Sequence, residues 1–246
     1  MFRNKLSSIL RRRTTLVCLS NLLLLTSSQI FLWGLKAEAG LLGNYTPSSN
    51  PIEVEQRRTM GSGSRSNCKS GLPKDSLTLL VPEANVVHHT SSATPPLFVH
   101  SKVASTLPFK FTLVNPQVAE PIVEQTFSIS QPGVKQLELP KSANLEEGTV
   151  YLWYVAIPCQ QDQHKYQEVL GAAIKRVPVD EKITQQLQNS STKEETAAVY
   201  ATHGIWYEAL GFAIQDRARS GYLQQLLSSV DLVSSDEGDK DILPFR

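Results

Sequence analysis

LEEGTVYLWYVAIPC, residues 145–159, joins a tight turn to a run of strand-forming residues and closes on a cysteine. Leu145 lies six positions before Tyr151, with Gly148-Thr149 between them. That spacing is the pattern of a tyrosine corner, in which a phenol at the start of a strand hydrogen-bonds to backbone upstream and fixes the crossover between two sheets. Tyr151 and Trp153 sit two apart in one strand and therefore share a face. The stretch predicts a fibronectin-III-like or immunoglobulin-like β-sandwich.

Working outward, the chain from Leu77 to about Val177 reads as short strands broken by Pro, Gly and Asn. Leu77–Pro82 and Leu97–Ser101 come first. Phe109, Phe111 and Leu113 then alternate with Lys110 and Thr112, giving one buried and one wet face. Val123, Gln125 and Phe127 belong to a fourth strand, Val134–Leu139 to a fifth, Val150–Ile157 to a sixth and Val169–Val177 to a seventh. Seven strands at this spacing suit a sandwich over residues 77–178. The early-strand tryptophan of fibronectin-III domains is missing, and Phe98 and Trp153 are the residues available to fill its space.

Beyond Val179 the period becomes helical, over 179–232. Val179–Asn189 makes a first helix, with Ile183 and Leu187 on one stripe. Thr192 is placed to cap a second, with Glu194 and Glu195 in the first turn, where the helix dipole favours acids. That helix carries Tyr200 to a His203-Gly204 turn, a third runs through Trp206 and Ala209 to Ala213, and Tyr222–Val230 forms a fourth. AVYATHGIWYEALGFA, residues 198–213, resembles the centre of a tetratricopeptide hairpin, with Tyr200, Gly204, Trp206 and Ala209 at matching positions. A single such unit cannot bury its own faces, so it must dock, and the sandwich is the favoured surface. The fold class expected is α+β, a seven-stranded sandwich followed by a helical hairpin module.

Residues 1–39 read as a secretory signal. Arg3, Lys5 and Arg11–Arg13 precede a hydrophobic segment, and Ala37-Glu38-Ala39 supplies small residues for cleavage. A retained membrane anchor is the alternative, weakened by Thr26, Ser27, Ser28 and Gln29 within the apolar run. Removing the signal leaves 18 basic residues against 22 acidic ones, a net charge of about −4. No basic stripe with interleaved aromatics remains, so nucleic-acid binding has no electrostatic support. Residues 40–76, with GSGSRS at 61–66, read as a flexible lead-in, and 233–246 as a disordered acidic tail. GSGS lacks the strand, helix and lysine of a phosphate loop.

Cys68 and Cys159 are the cysteines outside the signal. An even count in an exported chain favours a disulfide over a thiol nucleophile or a metal ligand. Such a bridge would close a loop of roughly 90 residues, worth at most about 4–5 kcal/mol in the chain-entropy model.

No catalytic constellation stands out, and no metal or other cofactor is implied. His88-His89, with His100 nearby, is expected in a surface loop; on a strand the adjacent pair would point to opposite faces and could not share a metal. His164 lies in a polar turn with Asp162 and Lys165, and His203 beside a helix-turn glycine. Glu146-Glu147 cannot flank a sugar bond from one turn. Trp206 and Tyr207 diverge by about 100° on a helix, so one is expected in the core and Tyr207 on the surface as a candidate binding residue.

Taken in order, GSGSRSNC, LTLLVPEAN, LEEGTVYLWYVAIPC, GAAIKRV, AAVYATHGIWYEAL and LLSSVDL resemble the cyanobacterial domain-of-unknown-function family numbered 928, over about residues 57–232. The resemblance implies an exported envelope protein with no assigned activity, and places Cys68 and Cys159 at the family's cysteine positions, which supports the bridge. GSGSR stands where the family is richer in glycine, and Glu208 where Asp is common. The expected function is a non-enzymatic protein–protein interaction or assembly role in the periplasm or outer envelope, in secretion or adhesion. The partner is then an envelope or secreted protein, with no stable membrane span after signal cleavage. The alternative is a carbohydrate-binding module or a polysaccharide-acting enzyme.

Overall fold

The computed structural model describes residues 42–48, 68–162, 164–216 and 221–232. The chain divides into two units, Met1–Leu41 and Leu42–Arg246, and every described residue belongs to the second. The signal segment, the GSGSRS run and the acidic tail lie outside the described residues.

The architecture is mixed α+β. Strands β1 (Leu77–Leu79), β2 (Val87–Thr90), β3 (Leu97–Ser101), β4 (Ser105–Val114), β5 (Val123–Ile129), β6 (Gly133–Leu137), β7 (Val150–Pro158) and β8 (Tyr166–Arg176) precede the helices. These are α1 (Glu181–Asn189), α2 (Lys193–Thr202), α3 (Trp206–Gln215) and α4 (Tyr222–Ser228). The strands form two sheets, one ordered β1-β3-β6 and the other β2-β8-β7-β4-β5. All pairings are antiparallel except that of β2, which runs parallel to β8 with Val87 opposite Ala173.

Period-two patterning sets the inner face of the larger sheet. Phe109, Phe111 and Leu113 on β4 and Trp153 and Val155 on β7 are fully buried, in a register that puts Phe111 beside Val155 and Leu113 beside Trp153. Phe109 stacks on Phe127 of β5 at 5.5 Å. On the wet face Lys110 pairs with Glu124 at 2.9 Å. Burying each large apolar side chain contributes roughly 1.5–3 kcal/mol. The longest strands lie at the centre of this sheet because they can bury the most.

The turn before β7 is tied from three directions. Glu146 N–H donates to Tyr151 Oη at 3.0 Å. Gly148, at φ 80°, donates its N–H to Arg176 O. Arg176 in turn donates to Leu145 O at 2.9 Å and pairs with Glu147. Leu145 itself is fully buried.

An eighth strand, β2, takes the place of the loop expected around His88-His89. His88 is buried and His89 half-buried. Four residues without alternation give no local strand signal; β2 forms because β8, far along the chain, offers it an edge. The lead-in also differs from the reading as a flexible segment. Leu42–Ser48 lies against the helices with Tyr45 buried, and Ser70 and Ser76 are buried where the chain enters β1.

Helix α2 starts on a capping box: Thr192 Oγ1 accepts from Glu195 N–H, and the Glu195 carboxylate accepts from Thr192 N–H. Gly204, at φ 72°, reverses the chain between α2 and α3. A Cβ there would also stand 2.9 Å from Thr46 O. Tyr200 stacks on Phe212 at 5.8 Å across the pair.

Tyr207 is 1% exposed, which corrects its expected surface position. A helix with one wet face would have separated Trp206 from Tyr207, but α3 is apolar nearly all round and is enclosed. Its buried residues include Trp206, Tyr207, Ala209, Leu210 and Ala213. Pro96, from the loop before β3, closes over Gly211. One buried cluster takes residues from both sheets, from α2, α3 and α4, and from Tyr45.

Candidate functional site

Two places concentrate polar chemistry. The first is a buried junction where α3 meets β2 and β7. Trp153 Nε1–H donates to Tyr207 Oη at 3.0 Å, and Tyr207 Oη lies 3.5 Å from Ala173 O. Trp206 Nε1–H donates to Leu80 O at 2.9 Å. These indole and phenol groups are thereby satisfied inside an apolar interior, as buried polar groups must be. Burial, the largest cause, pushes the Tyr207 phenol well above its ordinary value.

At one end of the junction His88 Nε2–H donates to Glu83 O at 2.7 Å. Glu83 N–H also approaches Nε2, at 3.3 Å, but the shorter contact is to a carbonyl, which can only accept; the proton therefore belongs on Nε2 and Nδ1 is left to accept from Tyr45 Oη at 3.3 Å. Burial lowers the His88 pKa to about 4, so the ring is neutral. At the other end Glu208 Oε1 accepts from Thr90 Oγ1 at 2.6 Å and from Ser92 N–H at 3.1 Å. Its Oε2 is buried with no hydrogen-bond partner among the described residues. Desolvation raises the Glu208 pKa, against the lowering effect of the Thr90 hydroxyl.

The second place is an open cleft of about 390 Å³ beside the disulfide. Cys68 and Cys159 are bonded, with Cα atoms 5.4 Å apart and a sequence separation of 91. Next to the bridge Gln160 N–H donates to Lys69 O and Cys159 N–H to Lys165 O. The bridge and these bonds hold residues 70–72 against the end of β7. Residues 104–107, 129–130 and Gln160 form the other walls. Here the β4–β5 ladder is interrupted: Ser105 pairs with Ile129 and Phe109 with Phe127, so three residues of β4 face one of β5. Ser70 and Ser105 each accept an N–H two residues on, from Leu72 and Leu107. Thr106, Ser130 and Gln160 supply further polar groups, Leu72, Leu107 and Ile129 supply apolar ones, and no lining residue is charged.

The model of the family described as Domain of Unknown Function (DUF928) matches residues 60–237. The chain belongs to that family. Comparison with curated proteins and with solved structures gives no match. The DUF928 match takes in both cysteines, the whole cleft, His88, Thr90 and Glu208. It leaves out Leu42–Ser48, although Tyr45 reaches the DUF928 core.

Of the residues singled out in the sequence, Leu145, Tyr151, Trp153, Trp206 and Ala209 are buried, Tyr200 is half-buried, and Gly204 makes the turn. Trp153 and Tyr207 are brought together, which no spacing foretold. The sequence marked Glu208 only as a departure from the family's Asp and gave it no role; its signal was a lone acid between aromatic and aliphatic residues on an apolar helix.

Glu208→Gln retains an acceptor for Thr90 and Ser92 and removes the titration. A carboxyl whose folded pKa is raised stabilises fully below its unfolded value near 4.3, and that stability is lost as pH rises through the folded pKa. The variant is therefore expected to gain on the parent as pH rises above the ordinary carboxylate range. Urea denaturation of both proteins at pH 4, 6 and 8 checks this; a difference that does not change with pH would refute the assignment.

Proposed function

We propose that the protein is an exported envelope protein that binds another envelope or secreted protein through the cleft beside the Cys68–Cys159 bridge. The uncharged lining of that cleft carries the reading. Apolar Leu72, Leu107 and Ile129 interleaved with hydroxyl and amide groups suit an extended peptide, whose backbone needs hydrogen bonds and whose alternate side chains need apolar contacts. Export is supported by the signal-like segment 1–39 and by a disulfide, which persists in oxidising compartments.

The reading takes the framework as a fibronectin-III-like or immunoglobulin-like sandwich with a tetratricopeptide-like α2–α3 pair. Strands β1, β3 and β6 then correspond to A, B and E, and β5, β4, β7 and β8 to C′, C, F and G, with β2 added beside G. The phenol of Tyr151 at the start of β7 favours this correspondence. The hydroxyl- and amide-rich wall also favours a second reading, a polysaccharide-binding cleft.

A photo-crosslinking residue in place of Thr106 is expected to capture a discrete protein partner in intact cells, while one in place of exposed Val118 captures none. Identical patterns at both positions would count against a partner in the cleft, and capture of glycan alone would favour the polysaccharide.

A further inference from the structure

Leu42–Ser48 lies outside the matched family region, yet it is built into the molecule along its length. Gln225 Nε2 donates to Leu42 O at 2.7 Å and to Asn44 Oδ1 at 2.8 Å. Tyr222 Oη donates to Gly43 O at 2.7 Å. Thr46 N–H donates to Ala201 O at 3.0 Å. Between these anchors the Tyr45 ring meets Trp206 edge-on at 5.0 Å, and its hydroxyl reaches His88. The segment thus crosses from α4 over the α2–α3 turn to β2.

We propose that Leu42–Ser48 is a strap latched by Tyr45 on His88, and that acid opens it by protonating His88 while the disulfide-bridged body stays folded. In the latched state Nε2–H is committed to Glu83 O, and Nδ1 accepts from Tyr45. A proton on Nδ1 turns that acceptor into a donor, so Tyr45 Oη must accept instead, its own O–H is turned away from its partner, and a charge is placed on a ring that is 3% exposed.

Among the described residues no carboxylate is paired with the His88 ring, although the charge of Glu83 acts on Tyr45 beside it. Glu83 faces His88 with its backbone carbonyl, and His89 beside it acts to lower its pKa. Strand β8 sets Ile174 opposite His88, with Lys175 and Arg176 further along. Helix α3 contributes Trp206 and Tyr207, and Glu208, whose carboxyl is engaged by Thr90. At the far end of the strap Tyr222, its phenol raised chiefly by burial and then by Glu194, keeps its proton. His88 is therefore the strap contact that changes charge in mild acid.

The sign is fixed by the lowered value. Well above pH 6.5 neither latched nor open His88 is charged. As pH falls from 6.5 towards about 4, the open state takes up the proton first, and latching weakens. The largest loss, reached below pH 4, is about 300-fold in the latching equilibrium. An opened strap bares Trp206 and His88. That surface is separate from the cleft, so the two readings stand or fall independently.

Hydrogen exchange of the full chain, with labelling times corrected for the intrinsic effect of pH, tests the latch. Protection of residues 43–46 is expected to fall by roughly 80-fold between pH 6.5 and 4, while β7 stays protected. The fall should track the His88 ring titration followed by NMR in the same protein. His88→Gln, which keeps a neutral donor and acceptor, should flatten the pH dependence at the strap. The proposal is overturned if the strap stays protected while His88 titrates, if strap and β7 lose protection together, or if His88→Gln shows the same step. The titration of the unaltered chain decides the matter even where that variant does not fold.

Discussion

Trp206→Ala is expected to lower the unfolding free energy by about 3–5 kcal/mol, measured by urea denaturation. The indole is fully buried at the point where α3, the strap and the chain after β1 meet. Its removal leaves a cavity beneath Tyr45, which loses its edge-on contact. It also leaves Leu80 O without the indole N–H. Trp206→Phe separates the two effects, since it fills most of the cavity but restores no donor. That variant should lose less, about 1–3 kcal/mol, close to the cost of an unsatisfied buried acceptor. Domains of this size are stable by only about 5–15 kcal/mol, so the alanine variant should approach the unfolding threshold at ambient temperature. A loss below 1 kcal/mol in Trp206→Ala would mean that α3 is not packed as described.

The second large effect is that of the disulfide. Replacing Cys68 and Cys159 together by serine is expected to cost about 2–4 kcal/mol, because the bridge restricts the unfolded chain across a long loop. Changing both residues avoids a lone thiol, which would pair with other molecules. Reductant should destabilise the parent by a similar amount and leave the double variant unaffected. The bridge also holds residues 70–72, one wall of the cleft, so the double variant should lose crosslinking at Thr106 while its sheets remain intact. Equal stability of parent and double variant under oxidising conditions would show that the bridge adds nothing to the fold.

Legibility followed the range of the interactions. The alternation of β4, the contact between Tyr151 and Glu146 and the Thr192 cap depend on residues within a few positions of each other, so the sequence displays them. Strand β2 depends on an edge supplied by β8 and carries no pattern of its own. The burial of Tyr207 depends on Trp153, 54 residues away, and that of Tyr45 on His88 and Trp206 in other elements. The cleft was hidden for the same reason: its walls come from four separate stretches, joined by a bridge and an interrupted ladder. Glu208 was visible as an oddity on an apolar helix, but its partners Thr90 and Ser92 lie more than 100 residues earlier.

Non-reducing peptide mapping of the protein recovered from its own cells tests the export and bridging claim most directly. The expected result is a peptide pair joined through Cys68 and Cys159, on a chain that begins at Gly40. Two alkylated thiols on a chain that still carries residues 1–39 would contradict it.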